Sequence, residues 1–172
     1  FDSEEVNLDS IKLLKLLNKT KISISNDDTR HYLNGIYLHA TESNNNTFLT
    51  GVATDSHRLS SSSIQVNNIK SFASIIIPRK TVFQLCSLLS EIDEKLIIQV
   101  SANKIKFSLG KINLISKVID GKFPDYKKVV PKENDKTLTV SSSDFINSVE
   151  RVASVSIDRK EGVKLELSRD KL

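Results

Sequence analysis

The segment "IIIPRKTVFQLCSLLSEI", Ile75 to Ile92, changes its apolar pattern at a proline. Ahead of Pro78 stand three consecutive isoleucines, whose β-branched side chains suit a buried strand. Beyond it, Val82, Leu85, Cys86, Leu88 and Leu89 recur at the spacing of one helix face. A proline suits the first turn of a helix, where its missing N–H costs no hydrogen bond. The segment therefore predicts a strand running into a helix. Downstream, "KLIIQVSA", "KIKFSLG" and "INLISKVID" alternate like strands, separated by turn residues at Ala102-Asn103 and Gly110-Lys111.

The same plan occurs upstream. In "VNLDSIKLLKLLNKT", Val6 to Thr20, Asp9 is the cap candidate and Ile11, Leu14 and Leu17 form the stripe, with Leu13 and Leu16 beside it. Strand-like "YLNGIYLHA", "NTFLTGVATD" and "HRLSSSSIQV" follow. A third start is "LTVSSSDFINSVERVASV", Leu138 to Val155, with Ile146, Val149 and Val152 expected to be buried and Ser143 or Asp144 to cap. The three stripes align residue for residue, so the unit is strand, helix, three strands. Helices segregated to one face of antiparallel sheets make the fold class α+β. Two units give a domain over residues 1–135, with Asp120–Lys136 ("DGKFPDYKKVVPKENDK") as connector, and residues 136–172 begin a third unit. Its final "GVKLELSRDKL" cannot bury an apolar face without partner strands, so this piece is expected to be poorly ordered or completed by further chain. Opening at Phe1 and containing no Met, the sequence reads as a piece of something longer.

Bulk features exclude several function classes. The 172 residues contain no apolar run long enough to span a membrane and no signal-peptide pattern. One cysteine, Cys86, allows no disulfide framework or zinc cluster; it reads as a core thiol and fits a reducing cytoplasmic setting. His31, His39 and His57 are scattered without metal-ligand spacing, and the five glycines form no phosphate-cradling loop, so no metal and no cofactor is expected.

"VATDSHRLSS", Val52 to Ser61, places Asp55, Ser56 and His57 side by side. These are the residue types of a hydrolytic triad, but a triad needs converging side chains, and neighbours on an extended chain point to opposite faces. A solvated turn or a pocket wall built from Thr54, His57, Arg58 and Leu59 are the other readings. The net charge of +4 is mild, and the placement of the lysines says more. Lys12, Lys15 and Lys19 form a stripe opposite the leucines, and Arg79 and Lys80 open the second helix. Such stripes are commonly solvated faces; lining one surface, they would let a polyanion track along phosphate contacts without reading bases. Phe107, Phe123 and Phe145 read as core, which does not favour recognition by base stacking.

"DDTRHYLNGIYLHA", "VATDSHRLSSSSI", "IIIPRKTVFQL" and "ISKVIDGKFPDYKKVVP", in this order, resemble the bacterial DNA polymerase III beta-subunit family, the replicative sliding clamps, across essentially the whole chain. The resemblance implies a middle clamp domain of two βαβββ units and the start of a third domain. Three such domains per subunit and two subunits would close a homodimeric ring around double-stranded DNA, a non-catalytic processivity factor of replication. It also implies a hydrophobic cleft at Leu33, Thr54, His57, Arg58, Leu59, Pro124, Lys128, Val129 and Val130. That cleft would take short linear motifs of polymerase subunits, the clamp loader and repair proteins. The DNA-facing candidates are Lys12, Lys15, Lys19, Arg79 and Lys80 on the helices and Arg30, His31 and Tyr32 in a loop. Ser56 stands where the family commonly has glycine and Lys128 where arginine is common, so the planar fork contact of an arginine is lost there. Two alternatives stay open: an α+β nucleic-acid-binding module without a peptide cleft, and a hydrolase using His57.

Overall fold

Strand β1 (Glu5–Asp9) runs directly into helix α1 (Ser10–Thr20). Two 3-10 turns follow, then β2 (Gly35–Ser43), β3 (Asn46–Thr54) and β4 (Leu59–Val66). The order then repeats as β5 (Ile75–Pro78), α2 (Arg79–Glu91), β6 (Lys95–Val100), β7 (Lys104–Leu109) and β8 (Ile112–Lys117). These elements come from a computed structural model that describes residues 5–67, 69, 72–155 and 162–168. The doubled strand–helix–three-strand order is the one predicted from the alternating patterns. Pro78 closes β5 and stands just before the first residue of α2.

The pairing of the strands is not sequential. One sheet has the order β1-β6-β7-β8 and the other β4-β3-β2-β5, so each repeat lends its first strand to the other repeat's sheet. Val6 lies opposite Ile98, which lies opposite Phe107, and Leu8 lies opposite Leu96, which lies opposite Leu109. All six side chains are buried, as alternation on a half-buried antiparallel sheet requires. In the second sheet Ile36 faces Ile77 and Leu38 faces Ile75. Hairpin β2–β3 turns on Asn44 and Asn45, both at positive φ (49° and 59°), the backbone pairing that matches strand twist.

Helix α1 turns a different edge to the core from the one expected. Leu13, Leu16 and Leu17 are fully buried, Leu14 is half-buried, and Ile11 is 41% exposed. Five apolar residues within seven positions permit two overlapping stripes, and the contacts with β3 and β4 select between them. Gly51 on β3 is part of that fit, since a Cβ there would lie 2.5 Å from Leu16 Cδ2. Asp9 is the residue before α1 but makes no side-chain bond to a helix amide; its carboxylate pairs with Lys12 at 3.1 Å. On α2 the expected stripe holds at Val82, Leu85, Cys86 and Leu89, with Leu88 half-buried. Burial pushes the Cys86 thiol up, against the opposing pull of the Lys21 charge.

The chain separates into two compact units, Phe1–Pro124 and Asp125–Leu172. The second unit contains a 3-10 turn, Tyr126–Lys128, and helix α3 (Ser142–Ala153). Its cap is Ser141, whose hydroxyl accepts the Asp144 N–H, and neither Ser143 nor Asp144 fills that place. The burial expected for Ile146, Val149 and Val152 is not found: Ile146 and Val152 are 52% and 57% exposed and Val149 is half-buried. Among the described residues of this unit no sheet underlies the helix. Val140, Phe145, Val149, Val152, Val163 and Leu165 instead line an open groove of about 270 Å³. No helix among the described residues is long and apolar enough to cross a membrane, and no group of three or more His, Cys, Asp or Glu among them is placed to hold a metal ion.

Candidate functional site

Strands β3 and β4 are joined by Asp55–Arg58, between the paired residues Thr54 and Leu59. The turn is tied internally by its own side chains. Thr54 Oγ1 donates to the Arg58 carbonyl (2.7 Å) and accepts the Ser56 N–H (3.1 Å). Asp55 Oδ1 accepts the N–H groups of His57 and Arg58, both at 3.0 Å, and Oδ2 accepts Arg58 Nε at 3.1 Å. Partial burial raises the Asp55 carboxyl, but the His57 and Arg58 amides and the Arg58 guanidinium together outweigh it and hold the group below its ordinary 3.8. Its charge is therefore spent on the backbone and on Arg58, an arrangement for shaping a turn. The side chains of His57 and Arg58 project into solvent.

Ser56 sits at φ +79°, the left-handed region in which glycine is at home. Its hydroxyl accepts Arg30 Nη1 at 2.6 Å. Arg30 in turn bonds Asp27 through Nε and Nη2, both at 2.9 Å. Asp27 caps the 3-10 turn Asp28–Leu33 by accepting the Thr29 N–H (2.9 Å) and also takes the Thr29 hydroxyl (2.6 Å). Those two bonds, followed by Arg30, hold the Asp27 carboxyl below its usual range. Leu33 ends that turn and is buried, and its carbonyl accepts the Ser25 N–H at 3.2 Å. A second link, Ser23 Oγ to Ser60 Oγ at 2.6 Å, fixes the preceding segment to β4. Leu33, Thr54, His57, Arg58 and Leu59 thus belong to two segments that Arg30 joins.

The remaining members of the expected cleft are distributed across the unit boundary. Pro124 closes the first unit and is exposed. Lys128, Val129 and Val130 belong to the second, where Lys128 pairs with Asp125 at 3.4 Å and both valines are exposed.

The cationic candidates fall into two groups. Lys12, Lys15 and Lys19 lie on the exposed face of α1. Arg79 donates to Asn26 and stands 5.2 Å from the centre of the Phe83 ring, with Lys21 Nζ 5.5 Å from the same ring. Lys80 is exposed beside it. The loop candidates are more engaged than their sequence suggested. Arg30 is bonded to Asp27 and Ser56, His31 Nε2 lies 3.2 Å from the Asp120 carbonyl, and Tyr32 packs edge-on against His31. Asp27 and Phe83 escaped sequence reasoning. For Phe83 the signal was available: an aromatic residue one place outside the buried stripe of α2.

A family model described as the central domain of the DNA polymerase III beta subunit matches residues 7–125. The chain belongs to the DNA polymerase III beta-subunit family. Within that family it is similar to the beta sliding clamp of Caulobacter vibrioides, 39% identical over 164 residues, which are 95% of this chain and 44% of the relative. The beta sliding clamp of Escherichia coli K12 is 35% identical over 168 residues, 98% of this chain and 45% of the relative. Among solved structures, the sliding clamp of Bartonella birtlesii bound to griselimycin superposes with a TM-score of 0.86 at 43% identity, over 92% of this chain and 43% of that one. A Caulobacter crescentus beta sliding clamp gives 0.88 at 39%, over 91% and 42%. The chain therefore spans less than half the length of these beta-subunit relatives, and it shares its α+β clamp fold with the matching portion of the two solved clamps.

Proposed function

We propose that this chain serves as part of a sliding clamp, a processivity factor that encircles duplex DNA and tethers replication partners by their short peptide motifs. The observation that carries the reading is 39% identity to a beta sliding clamp across 95% of the chain. In this reading the first unit supplies a peptide wall from Leu33, Thr54, His57, Arg58, Leu59 and Pro124. Apolar side chains receive the peptide's anchors while Thr, His and Arg orient its backbone. Lys128, Val129 and Val130 carry the same assignment from the resemblance and belong to the second unit. The exposed lysines of α1, with Arg79 and Lys80, face DNA through phosphate contacts, which are sequence-independent and weaken with salt. Tethering works through effective concentration: a closed ring keeps its polymerase near the template without strong contacts to either. No reaction is catalysed in this scheme, the partners are duplex DNA and motif-bearing replication proteins, and the subunit pairs with a second copy.

The test is fluorescence anisotropy of a labelled Gln-Leu-x-Leu-Phe-type peptide titrated with the chain at its full natural length. Saturable binding is expected, and truncating the exposed His57 and Arg58 to alanine should weaken it while salt-sensitive DNA binding survives. Loss of DNA binding on removing Lys12, Lys15 and Lys19, with peptide binding absent throughout, would favour the plain nucleic-acid module instead.

A further inference from the structure

Ser56 combines two features that are unusual together. It is a non-glycine residue at φ +79°, and its side chain is bonded to an arginine from a different segment. We propose that Arg30 is a positioning residue of the peptide site: anchored on Asp27, it holds Ser56 in the left-handed conformation and so sets the shape of the Thr54–Leu59 turn. The inference rests on reading that turn as a peptide wall.

In the left-handed region the Cβ of an L-residue crowds the following carbonyl, a cost glycine escapes. Such a residue persists where its surroundings over-determine it. The bonds made by Thr54 Oγ1 and by the Asp55 carboxylate to backbone N–H groups lie within the turn, and a glycine at position 56 would leave them available. The bond that reaches Ser56 from outside comes from Arg30, and it requires the hydroxyl. Arg30 is itself prevented from swinging away. Two of its nitrogens bond Asp27, whose carboxylate also takes the Thr29 N–H and hydroxyl. A cation donating to a neutral hydroxyl makes a stronger bond than a neutral pair would. The same fork fixes the turn that ends at Leu33 against the turn that carries His57 and Arg58. Where glycine occupies position 56 the conformation is free, and no such brace is needed. Arg30 is thereby assigned to the peptide side, away from the DNA-facing role its basic character suggested.

The experiment compares Arg30→Ala, Ser56→Ala, Ser56→Gly and the double variant Arg30→Ala/Ser56→Gly with wild type, in the chain at its full natural length. One readout needs no peptide: hydrogen exchange at the His57 and Arg58 amides. The second is anisotropy with the peptide named above. Arg30→Ala and Ser56→Ala should each accelerate exchange at both amides and weaken peptide binding by about three- to fivefold, the range of a partly exposed ionic bond. Ser56→Gly and the double variant should both behave as wild type. Unchanged exchange in Arg30→Ala and in Ser56→Ala overturns the proposal. So does an equal loss of peptide affinity on removing Arg30 from the serine and the glycine backgrounds, because Arg30 would then act on the peptide directly. A wild-type protein that takes no peptide overturns the peptide-site reading and Arg30's part in it. The exchange data then decide separately whether Arg30 holds the turn.

Discussion

Asp55 illustrates how a residue that looks catalytic is used to build a shape. Three donors converge on its carboxylate, two of them backbone amides of the next three residues. Because its folded-state pKa lies below the ordinary 3.8, its contribution to stability is present above that value and is lost as pH falls through the lowered one. Asp55→Asn should therefore lower the urea midpoint at neutral pH, and the gap from wild type should narrow as pH falls below 3.8 and close once the folded-state carboxyl is protonated. Measuring both midpoints across that range checks it; a gap independent of pH would mean that the carboxylate charge is irrelevant. That the side-by-side Asp55, Ser56 and His57 form a turn between strands was among the readings the sequence allowed. The positive φ of Ser56 was not, because backbone conformation at a serine leaves no mark in composition. Nor was the Arg30 tie, which joins residues far apart in the chain.

At the scale of elements, α1 shows why a periodic pattern establishes a helix more readily than its orientation. Ile11, Leu13, Leu14, Leu16 and Leu17 fit a helix whichever way it is rotated, and packing against β3 and β4 buries Leu13, Leu16 and Leu17 while exposing part of Ile11. Truncating Leu16 to alanine should cost about 2–5 kcal/mol, the range for a buried leucine that leaves a cavity. Ile11→Ala should cost about 1 kcal/mol or less, because much of its surface is already in water. Chemical denaturation of the two variants checks the ranking, and comparable losses would mean that Ile11 carries core packing its exposure conceals. On α2 the pattern gave less choice, because Gln84, Ser87 and Ser90 mark the wet side. In α3 the stripe is present but Ile146 and Val152 are exposed, since amphipathicity describes what a helix can bury and says nothing of what lies beneath it.

For the first unit as a whole, the decisive feature is the exchange of β1 and β5 between the two sheets. The doubled order of elements was legible from alternation and turn residues. The exchange was not, since partners 86 to 94 residues away for β1 and 37 to 43 for β5 share no local signal. Interlocked sheets should unfold together. Ile98→Ala in one sheet and Leu38→Ala in the other should each shift one common transition, seen at the same midpoint by far-ultraviolet circular dichroism and by tyrosine fluorescence. Two separated transitions in either variant would show that the sheets are independent.

The exchange also bears on the order in which the chain can fold during synthesis. Strand β1 leaves the ribosome well before its partner residues, Lys95–Gln99. At roughly 5–20 residues per second, translation leaves β1 waiting on the order of five to twenty seconds. Val6 and Leu8 spend that interval without a sheet to cover them. Helix α1, emerging next, has its leucines in the same position until β3 and β4 arrive. The nascent segment that carries β1 and α1 is therefore a natural client for a ribosome-associated chaperone, and slowing elongation before Gln99 should lengthen its exposure.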